Sequence, residues 1–303
     1  MQLDIIYNHN EVIVKNMEDF EPQHIFECGQ SFRWNREIDG SYTGIAYKKI
    51  LNVKKIDRDI IFKNTNKKEF NEIWMEYFDL NTDYKIIKKE ISKDDPIMKK
   101  AIDFGNGIRI LKQEPWETIA SFIISANNNI PRIKKTVEIL SENYGDYLGQ
   151  YNDIDRYAFP DVKTIAGLTP EELKSSGIGY RASYIIKTAQ MIVDEPIDLC
   201  KLQKLDIKKC EKSLLQYHGV GPKVAHCILF FCIGQMEAFP VDTWVKRVME
   251  YFYFKEETKP KVIQEFATKK YGKYAGYAQQ YLFYYARELN IGKKWEGRDK
   301  IKC

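Results

Sequence analysis

Lys223 and Asp242 are the residues whose types and positions are best suited to chemistry, because each stands where a helix should begin. Lys223 follows residues 219–222, G-V-G-P, in which two glycines favour a tight hairpin and the proline fits the first helical turn. A cationic amine is disfavoured beside the positive end of a helix, and a lysine that is partly neutral is a nucleophile. Asp242 precedes the apolar-periodic run 243–252 at the position of a helix N-cap, where a carboxylate stays ionised. The pair could therefore supply a nucleophile and an anion that stabilises positive charge.

The hairpin before Lys223 could itself bind an anion. The first N–H groups of a helix have no partner within it, so Gly219, Val220 and Gly221 are expected to present backbone donors to a phosphate. Apolar residues at helical spacing precede the hairpin, and Asp206 could cap the helix that they form. Residues 206–233 therefore predict a helix-hairpin-helix unit.

The elements that must position these residues follow from the pattern along the chain. Short β-branched or aromatic runs predict strands at residues 3–7, 12–14, 32–34, 42–47, 51–56 and 60–62. From Phe70 onward the apolar residues recur at three- and four-residue spacing, which predicts helices to the C-terminus. The expected fold class is therefore α+β, with an antiparallel sheet and helices in residues 1–100, a helical domain in 101–205, and a second helical domain in 206–303.

Composition restricts the class of protein. A chain of 303 residues with 44% apolar and 14% aromatic residues should fold into substantial cores, and its net charge of +4 is compatible with nucleic acid. The six cysteines include no C-x-x-C pair and the four histidines lack zinc-site spacing, so we expect free thiols, no metal and no cofactor. No leader and no apolar run of about 18 residues is present, so we expect an intracellular, cytoplasmic protein that spans no membrane.

The segment G-V-G-P-K-V-A-x-C at residues 219–227, followed by F-P-V-D at 239–242, resembles the helix-hairpin-helix DNA glycosylases. It is most similar to the 8-oxoguanine DNA glycosylase/AP lyase family. The resemblance implies that Lys223 attacks C1′ of the damaged nucleotide while Asp242 stabilises the charge that develops on the sugar. The resulting Schiff base would then allow the strand to be cut by β-elimination.

Two further segments imply a pocket for the flipped base. Residues 28–34, C-G-Q-S-F-R-W, look like the family segment in which the carbonyl of Gly29 accepts a hydrogen bond from N7–H of 8-oxoguanine. Guanine carries an acceptor at N7 instead, so this carbonyl would favour the lesion. The C-terminal helix resembles the family pattern Y-A-G-x-A-Q-x-x-x-F, which assigns Gln279 to the Watson–Crick edge of the base and Phe283 to one face. Cys227 would cover the other face, and Pro240 is assigned to the same pocket.

The family also implies contacts with the opposite strand. The loop N-N-N-I-x-R at residues 127–132 is similar to the segment that enters the duplex, where Asn127 would fill the hole and Arg132 would contact the unpaired cytosine. The second hairpin, at residues 176–182, implies that Tyr180 is a wedge and that Arg181 is a second contact to that cytosine. These assignments predict double-stranded DNA as the partner and a preference for 8-oxoguanine opposite cytosine.

Departures from the family pattern leave alternatives open. Trp244 stands where eukaryotic members have His, and Ala286 stands where they have Asp, so a phosphate contact or a pocket wall should differ. Some helix-hairpin-helix glycosylases hold an iron–sulfur cluster on four cysteines after the catalytic Asp. Here Cys303 is the only cysteine after Asp242, so we expect no iron–sulfur cluster. The remaining alternatives are a glycosylase for another damaged base and a non-catalytic helix-hairpin-helix DNA-binding module. In the latter, Asp242 would be only a cap and Lys223 only a phosphate contact.

Overall fold

The computed structural model describes residues 3–292. The predictions that concern residues 1–2 and 293–303 lie outside the described residues. They include the free thiol of Cys303 and the outer ends of the first and last predicted domains.

The N-terminal region forms a six-stranded antiparallel sheet, in which five predicted strands are confirmed and the third, predicted at residues 32–34, begins two residues later at Trp34. The strands are β1 (Asp4–Tyr7), β2 (Glu11–Lys15), β3 (Trp34–Arg36), β4 (Tyr42–Ala46), β5 (Lys49–Ile56) and β6 (Asp59–Lys63). Their order in the sheet is β1-β2-β6-β5-β4-β3, so hairpins connect most neighbours. One face of the sheet is buried, and it carries side chains from alternate positions of β2 and β6, as in the register pairs Val12↔Phe62 and Val53↔Phe62. The sheet thus has a core on one side.

Helices cover that face of the sheet and make up most of the remaining chain. Within residues 3–292 the α-helices are α1 (Pro22–Glu27), α2 (Lys67–Glu69), α3 (Met75–Tyr77), α4 (Tyr84–Ile91), α5 (Pro96–Phe104), α6 (Pro115–Ser125), α7 (Ile130–Tyr144), α8 (Val162–Ala166), α9 (Arg181–Asp194), α10 (Leu199–Gln203), α11 (Ile207–Leu214), α12 (Pro222–Ile228), α13 (Thr243–Met249), α14 (Pro260–Tyr271) and α15 (Ala275–Glu288). Turns of π-helix occupy Phe70–Trp74, Leu229–Ile233 and Glu250–Phe254, and 3₁₀ turns occupy Glu172–Ser176 and Gly272–Tyr274. The predicted fold class, α+β with a sheet followed by helices, is confirmed.

A small hairpin inside the helical region was not expected from the sequence. Strands β7 (Tyr147–Tyr151) and β8 (Ile154–Tyr157) pair antiparallel, and both are largely exposed. Asn152 and Asp153 connect them with φ of 52° and 59°, which suits the tight turn of a two-residue hairpin. The strands bury little apolar surface, so their hydrophobic pattern is weak and the turn residues are the clearer signal.

Two apolar cores hold the molecule together. The first joins the sheet to α1 and α3 through aromatic contacts such as the stack of Phe26 on Trp34, whose ring centroids are 4.0 Å apart. The second runs continuously through the helices on both sides of residue 205, so the predicted division at that residue stays a prediction. None of the helices within residues 3–292 is long and apolar enough to cross a membrane.

Candidate active site

The helix-hairpin-helix unit begins where the sequence predicts. Asp206 caps α11, because its carboxylate accepts a hydrogen bond of 3.0 Å from the Lys209 N–H. After the hairpin, α12 begins at Pro222 with Gly221 as its N-cap, and no side chain caps this helix within the described structure. Its first N–H groups are therefore left for water or a ligand.

The hairpin packs tightly at its first glycine and is open at its second. Gly219 has φ of +79°, and a Cβ there would lie 3.0 Å from Ile123 Cγ2 and from Tyr184 Cβ, so only glycine fits. Gly221 has φ of −91°, which any residue adopts, and a Cβ there would meet nothing within 4 Å. Gly221 thus leaves space beside the start of α12.

One of the three expected backbone donors is used within the protein. The Val220 N–H donates to the Tyr217 carbonyl at 3.1 Å, which closes the turn and corrects the prediction that Val220 presents its amide to DNA. The N–H groups of Gly219 and Gly221 find no acceptor among residues 3–292. The predicted contact of the hairpin with a phosphate therefore rests on these two glycines and on the start of α12.

A serine that the sequence analysis missed orients the Lys223 amine. Lys223 Nζ lies 3.0 Å from Ser125 Oγ, and Ser125 Oγ donates its own proton to the Phe122 carbonyl at 2.7 Å. Because the serine has one hydroxyl proton and has already used it, Ser125 must accept from Lys223. The Phe122 ring, with its centroid 5.1 Å from Nζ, forms one wall beside the amine.

Asp242 is the N-cap of α13, as predicted, and its Oδ1 accepts a hydrogen bond of 2.8 Å from the Val245 N–H. Burial raises the pKa of this carboxyl, while the Val245 N–H and the charge of Lys223 act in the opposite direction. The charge of Lys223 therefore favours the ionised form of Asp242. The predicted helix N-terminus thus favours the ionised carboxylate of Asp242, whereas burial opposes it.

Two other residues of α12, Cys227 and His226, are buried close to Lys223 in the helix. Cys227, one turn beyond Lys223, is 3% exposed, and burial raises the pKa of its thiol to about 11 against the effect of the Lys223 charge. His226 Nδ1 accepts a hydrogen bond of 3.1 Å from the Phe239 N–H and so holds the segment that leads to Asp242. Burial lowers the pKa of His226 to about 4, which keeps it neutral and able to accept. Sequence analysis missed this role, because a buried histidine gives no local signal.

Gly29 lies between two residues whose carbonyls are already occupied. The Cys28 carbonyl accepts from Gln280 Nε2 at 2.8 Å, and the Gln30 carbonyl accepts from Gln113 Nε2 at 2.7 Å. Within residues 3–292, the Gly29 carbonyl has no donor. A Cβ on Gly29 would lie 3.1 Å from Phe283 Cε1, so the structure brings these two predicted pocket residues together.

The other predicted base-binding residues are placed as follows. Gln279, one turn before Phe283 on α15, is 5% exposed, and its Oε1 is buried with no partner in the described chain. Pro240 is buried two residues before Asp242. A buried acceptor without a partner costs free energy in the empty protein, which is typical of a site that a ligand completes.

The two departures from the family pattern lie on α13 and α15, which pack against each other. Ala286 is fully buried on α15. Trp244 is partly buried in the first turn of α13, and the Arg247 guanidinium lies over its ring at 5.4 Å from the centroid. An aromatic–cation contact therefore involves the position that the family pattern gives to a histidine.

The loop between α6 and α7 exposes Asn127 in particular. Asn128 Nδ2 donates to the Ile124 carbonyl at 3.1 Å, and Asn129 caps α7 by accepting from the Arg132 N–H at 3.0 Å. Asn127 is exposed, with a left-handed backbone at φ of 49°. The side chains of Asn127 and Arg132 are both at the surface, where the predicted insertion into DNA requires them.

The second hairpin lies beside this loop and is tied to it. Arg181 is 5% exposed, and its guanidinium donates to the carbonyls of Ala126 and Asn127, the latter at 3.1 Å. In the DNA-free chain this arginine therefore supports the loop, and its predicted contact with cytosine stays a prediction. Tyr180 is 58% exposed, and the Arg181 guanidinium lies over its ring at 4.5 Å from the centroid.

In the described part of the chain, no group of three or more His, Cys, Asp or Glu side chains is arranged to hold a metal ion. Cys28, Cys200, Cys210, Cys227 and Cys232 are free thiols.

Comparisons with known proteins agree with this geometry. Family models match the 8-oxoguanine DNA glycosylase N-terminal domain at residues 12–119 and the HhH-GPD superfamily of base excision DNA repair proteins at residues 120–273. The N-glycosylase/DNA lyase OGG1 of Arabidopsis thaliana is 30% identical over 274 residues, which are 85% of this chain and 75% of that protein.

Solved structures give closer matches. The chain is 46% identical to the Clostridium acetobutylicum 8-oxoguanine glycosylase/lyase, solved in complex with dsDNA containing cytosine opposite to 8-oxoG. The TM-score is 0.92, and the match covers 96% of this chain and 100% of the other. A 3-methyladenine DNA glycosylase from Archaeoglobus fulgidus has the same fold at 19% identity, with a TM-score of 0.73 and coverage of 91% of this chain and 99% of that one.

Proposed function

The chain belongs to the 8-oxoguanine DNA glycosylase family of base excision repair proteins, and we propose that it is a bifunctional DNA glycosylase/AP lyase that excises 8-oxoguanine from duplex DNA. The observation that carries this proposal is the placement of the Lys223 amine, which Ser125 holds and whose charge acts on Asp242. A protein that only binds DNA needs neither a nucleophile nor a carboxylate beside it.

The flipped base enters a pocket between the sheet region and α15. The unoccupied carbonyl of Gly29 accepts from N7–H of 8-oxoguanine, whereas N7 of guanine would oppose it. The buried amide of Gln279 hydrogen-bonds the Watson–Crick edge, Phe283 stacks on one face, and Cys227 covers the other. Aromatic stacking on a base contributes about 1–3 kcal/mol, and a satisfied rather than opposed acceptor contributes about as much.

Chemistry begins when the neutral Lys223 amine attacks C1′. The C1′–N bond forms as the C1′–N9 bond breaks, and the bonding electron pair leaves with the base, which takes up a proton. The ionised Asp242 stabilises the positive charge that develops on the sugar. The amine then loses a proton and the sugar ring opens to a Schiff base. Loss of a C2′ proton expels the 3′ phosphate, which cuts the strand.

Contacts with the other strand account for the expected preference for cytosine. Asn127 fills the hole that the flipped base leaves, which offsets the few kcal/mol that unstacking and unpairing cost. Arg132 and Arg181 hydrogen-bond the unpaired cytosine, and Tyr180 is a wedge beside it. Gly219, Gly221 and the start of α12 bind a phosphate of the damaged strand. The enzyme acts as a monomer and without an iron–sulfur cluster.

Borohydride trapping tests the nucleophile, the reaction class and the substrate together. Wild type and Lys223→Gln are incubated with duplexes that contain one 8-oxoguanine opposite cytosine, one uracil, or no lesion. Lys212→Gln is the matched control, because Lys212 is an exposed lysine of the same helix-hairpin-helix unit. We expect a covalent adduct with wild type and Lys212→Gln, only on 8-oxoguanine, and none with Lys223→Gln.

Other outcomes separate the alternatives. Base release without an adduct would indicate a monofunctional glycosylase in which Lys223 is a phosphate contact. Equal binding of damaged and undamaged duplexes without release would indicate a DNA-binding module. The cytosine preference is wrong if single-turnover excision rates opposite the four bases agree within about twofold.

A further inference from the structure

One cation of the pocket has no role in the scheme above. Arg287 lies on α15, four residues after Phe283 and eight after Gln279, so the three side chains share one face of the helix. Its guanidinium lies over the Phe283 ring, 5.4 Å from the centroid. A Cβ built on Gly29 would lie 3.1 Å from Arg287 Nη1, the same distance as from Phe283. Arg287 is therefore a direct neighbour of Gly29.

Hydrogen bonds fix the guanidinium but leave one nitrogen unused. Nη2 donates to the Glu27 carbonyl and lies 2.7 Å from Glu288 Oε1, and Nε donates to the same carboxylate at 2.9 Å. Nη1 is buried and has no acceptor within residues 3–292, although the side chain as a whole is 15% exposed. A rigidly held donor without a partner marks a position that an acceptor on a ligand would complete.

The charge of Arg287 acts on both sides of the pocket. It lowers the pKa of the Cys28 thiol, next to Gly29, and that of the Asp242 carboxyl, although burial raises both. Glu288 neutralises part of this charge on the side away from Nη1. An anion or an electron-rich oxygen near Nη1 would therefore be stabilised.

The helix geometry indicates which edge of the base Arg287 faces. Eight residues of helix rise about 12 Å, which is about the span of a purine with one hydrogen bond at each edge. Gln279 takes the Watson–Crick edge in the proposed complex, so Arg287 lies at the opposite edge, beside the Gly29 carbonyl at N7. In 8-oxoguanine that edge carries oxygens at C6 and C8, one on each side of N7.

We propose that Arg287 is a catalytic residue whose Nη1–H donates to an oxygen that flanks N7 and stabilises the negative charge on the departing base. This inference rests on the proposed function. As the C1′–N9 bond breaks, its electron pair moves into the purine and is shared by the exocyclic oxygens on C6 and C8. The Nη1 hydrogen bond strengthens as that charge grows, so it stabilises the transition state more than the bound substrate. Lys223 acts at the sugar while Arg287 acts at the leaving group.

The test separates base departure from the later steps. Wild type, Arg287→Gln, Arg287→Lys and the control Arg58→Gln are compared in single-turnover excision of 8-oxoguanine opposite cytosine and in cleavage of a preformed abasic site. Arg58 is an exposed arginine of the sheet region. We expect Arg287→Gln to slow excision about 30- to 100-fold and to change abasic-site cleavage less than twofold, because no base departs there. Arg287→Lys should recover part of the loss, and Arg58→Gln should match wild type.

A pH profile gives an independent readout. Without the arginine, the base leaves more easily when it is protonated, so excision by Arg287→Gln should rise toward acid pH relative to wild type. If Arg287→Gln loses excision and abasic-site cleavage equally, Arg287 acts in folding or DNA binding. If excision is unchanged, Arg287 only holds the Glu27 carbonyl. Either result overturns the inference. A wild type that cleaves abasic sites but leaves 8-oxoguanine in place would overturn the proposed function instead.

Discussion

The two glycine hairpins of the helical region both begin a helix, yet they serve the site in different ways. The hairpin at residues 218–221 is held by packing at Gly219 and presents backbone N–H groups, and its helix carries Lys223. The hairpin at residues 177–180 is loosely surrounded, since a Cβ at Gly179 would meet nothing within 4 Å, and its helix carries Arg181. One hairpin thus offers its backbone and the other offers side chains.

Both hairpins act on the same short segment. Lys223 donates to Ser125, while Arg181 donates to the carbonyls of Ala126 and Asn127. The last turn of α6 therefore connects the Lys223 amine, which is the proposed nucleophile, to the loop that is proposed to enter the duplex. In the proposed mechanism, one rigid element would thus align base extrusion with catalysis.

The largest expected effect tests the difference in packing. Gly219→Ala places a Cβ against Ile123 and Tyr184 in a left-handed conformation, and it should lower the free energy of unfolding by about 2–4 kcal/mol. Gly179→Ala has the left-handed conformation at φ of 63° but open space, so it should cost only about 1 kcal/mol. Denaturant unfolding measures both. Equal losses would contradict the view that packing fixes only the first hairpin.

A smaller effect is expected from removing the hydrogen bonds between Arg181 of the second hairpin and the loop between α6 and α7. Arg181→Ala leaves the Ala126 and Asn127 carbonyls without their donors, which should disorder the loop and slow excision about 30- to 100-fold, or about 2–3 kcal/mol. Arg132→Ala is the control, because Arg132 is exposed and should affect mainly the choice of opposite base. If both variants slow excision equally opposite all four bases, Arg181 has no special role in positioning the loop.

Ser125 should matter less, since it orients the amine without supplying it. Ser125→Ala removes the acceptor for Lys223, and we expect a loss of about tenfold in the rate of borohydride-trapped adduct, or about 1–1.5 kcal/mol. Ser125→Thr keeps the hydroxyl and should restore most of that rate. A threonine variant as slow as the alanine variant would assign the loss to crowding near Phe122 rather than to the hydrogen bond.

The sequence predicted the fold and the helix starts that carry Lys223 and Asp242, because these depend on local signals. Asp206, Pro222 and Asp242 are cap and first-turn residues, and the structure has a helix start at each. The strands of the sheet are short runs of β-branched and aromatic residues, which can be recognised without tertiary information. Local signals of this kind are present in the chain before it folds.

Residues that act across long sequence separations could not be predicted in this way. Ser125 meets Lys223, and Arg287 meets Gly29, only after distant helices pack together. The Val220 amide was expected to face a ligand, but its bond to Tyr217 depends on the turn geometry, which the two flanking glycines leave open. Sequence patterns therefore predicted the local helix caps but not the hydrogen bonds between residues that are distant in the sequence.

The smallest expected effect on stability concerns the second glycine of the first hairpin. Gly221→Ala meets no atom within 4 Å and needs no left-handed backbone, so its free energy of unfolding should stay within about 0.5 kcal/mol of wild type. Affinity for duplex DNA should nevertheless fall about fivefold, because the added methyl group occupies the space through which a phosphate reaches the first N–H groups of α12. Binding is measured at fixed salt, with the exposed Gly167→Ala, which also needs no left-handed backbone, as control. Unchanged affinity would mean that the open space at Gly221 has no ligand, and the contrast between the two hairpins would then lie only in their packing.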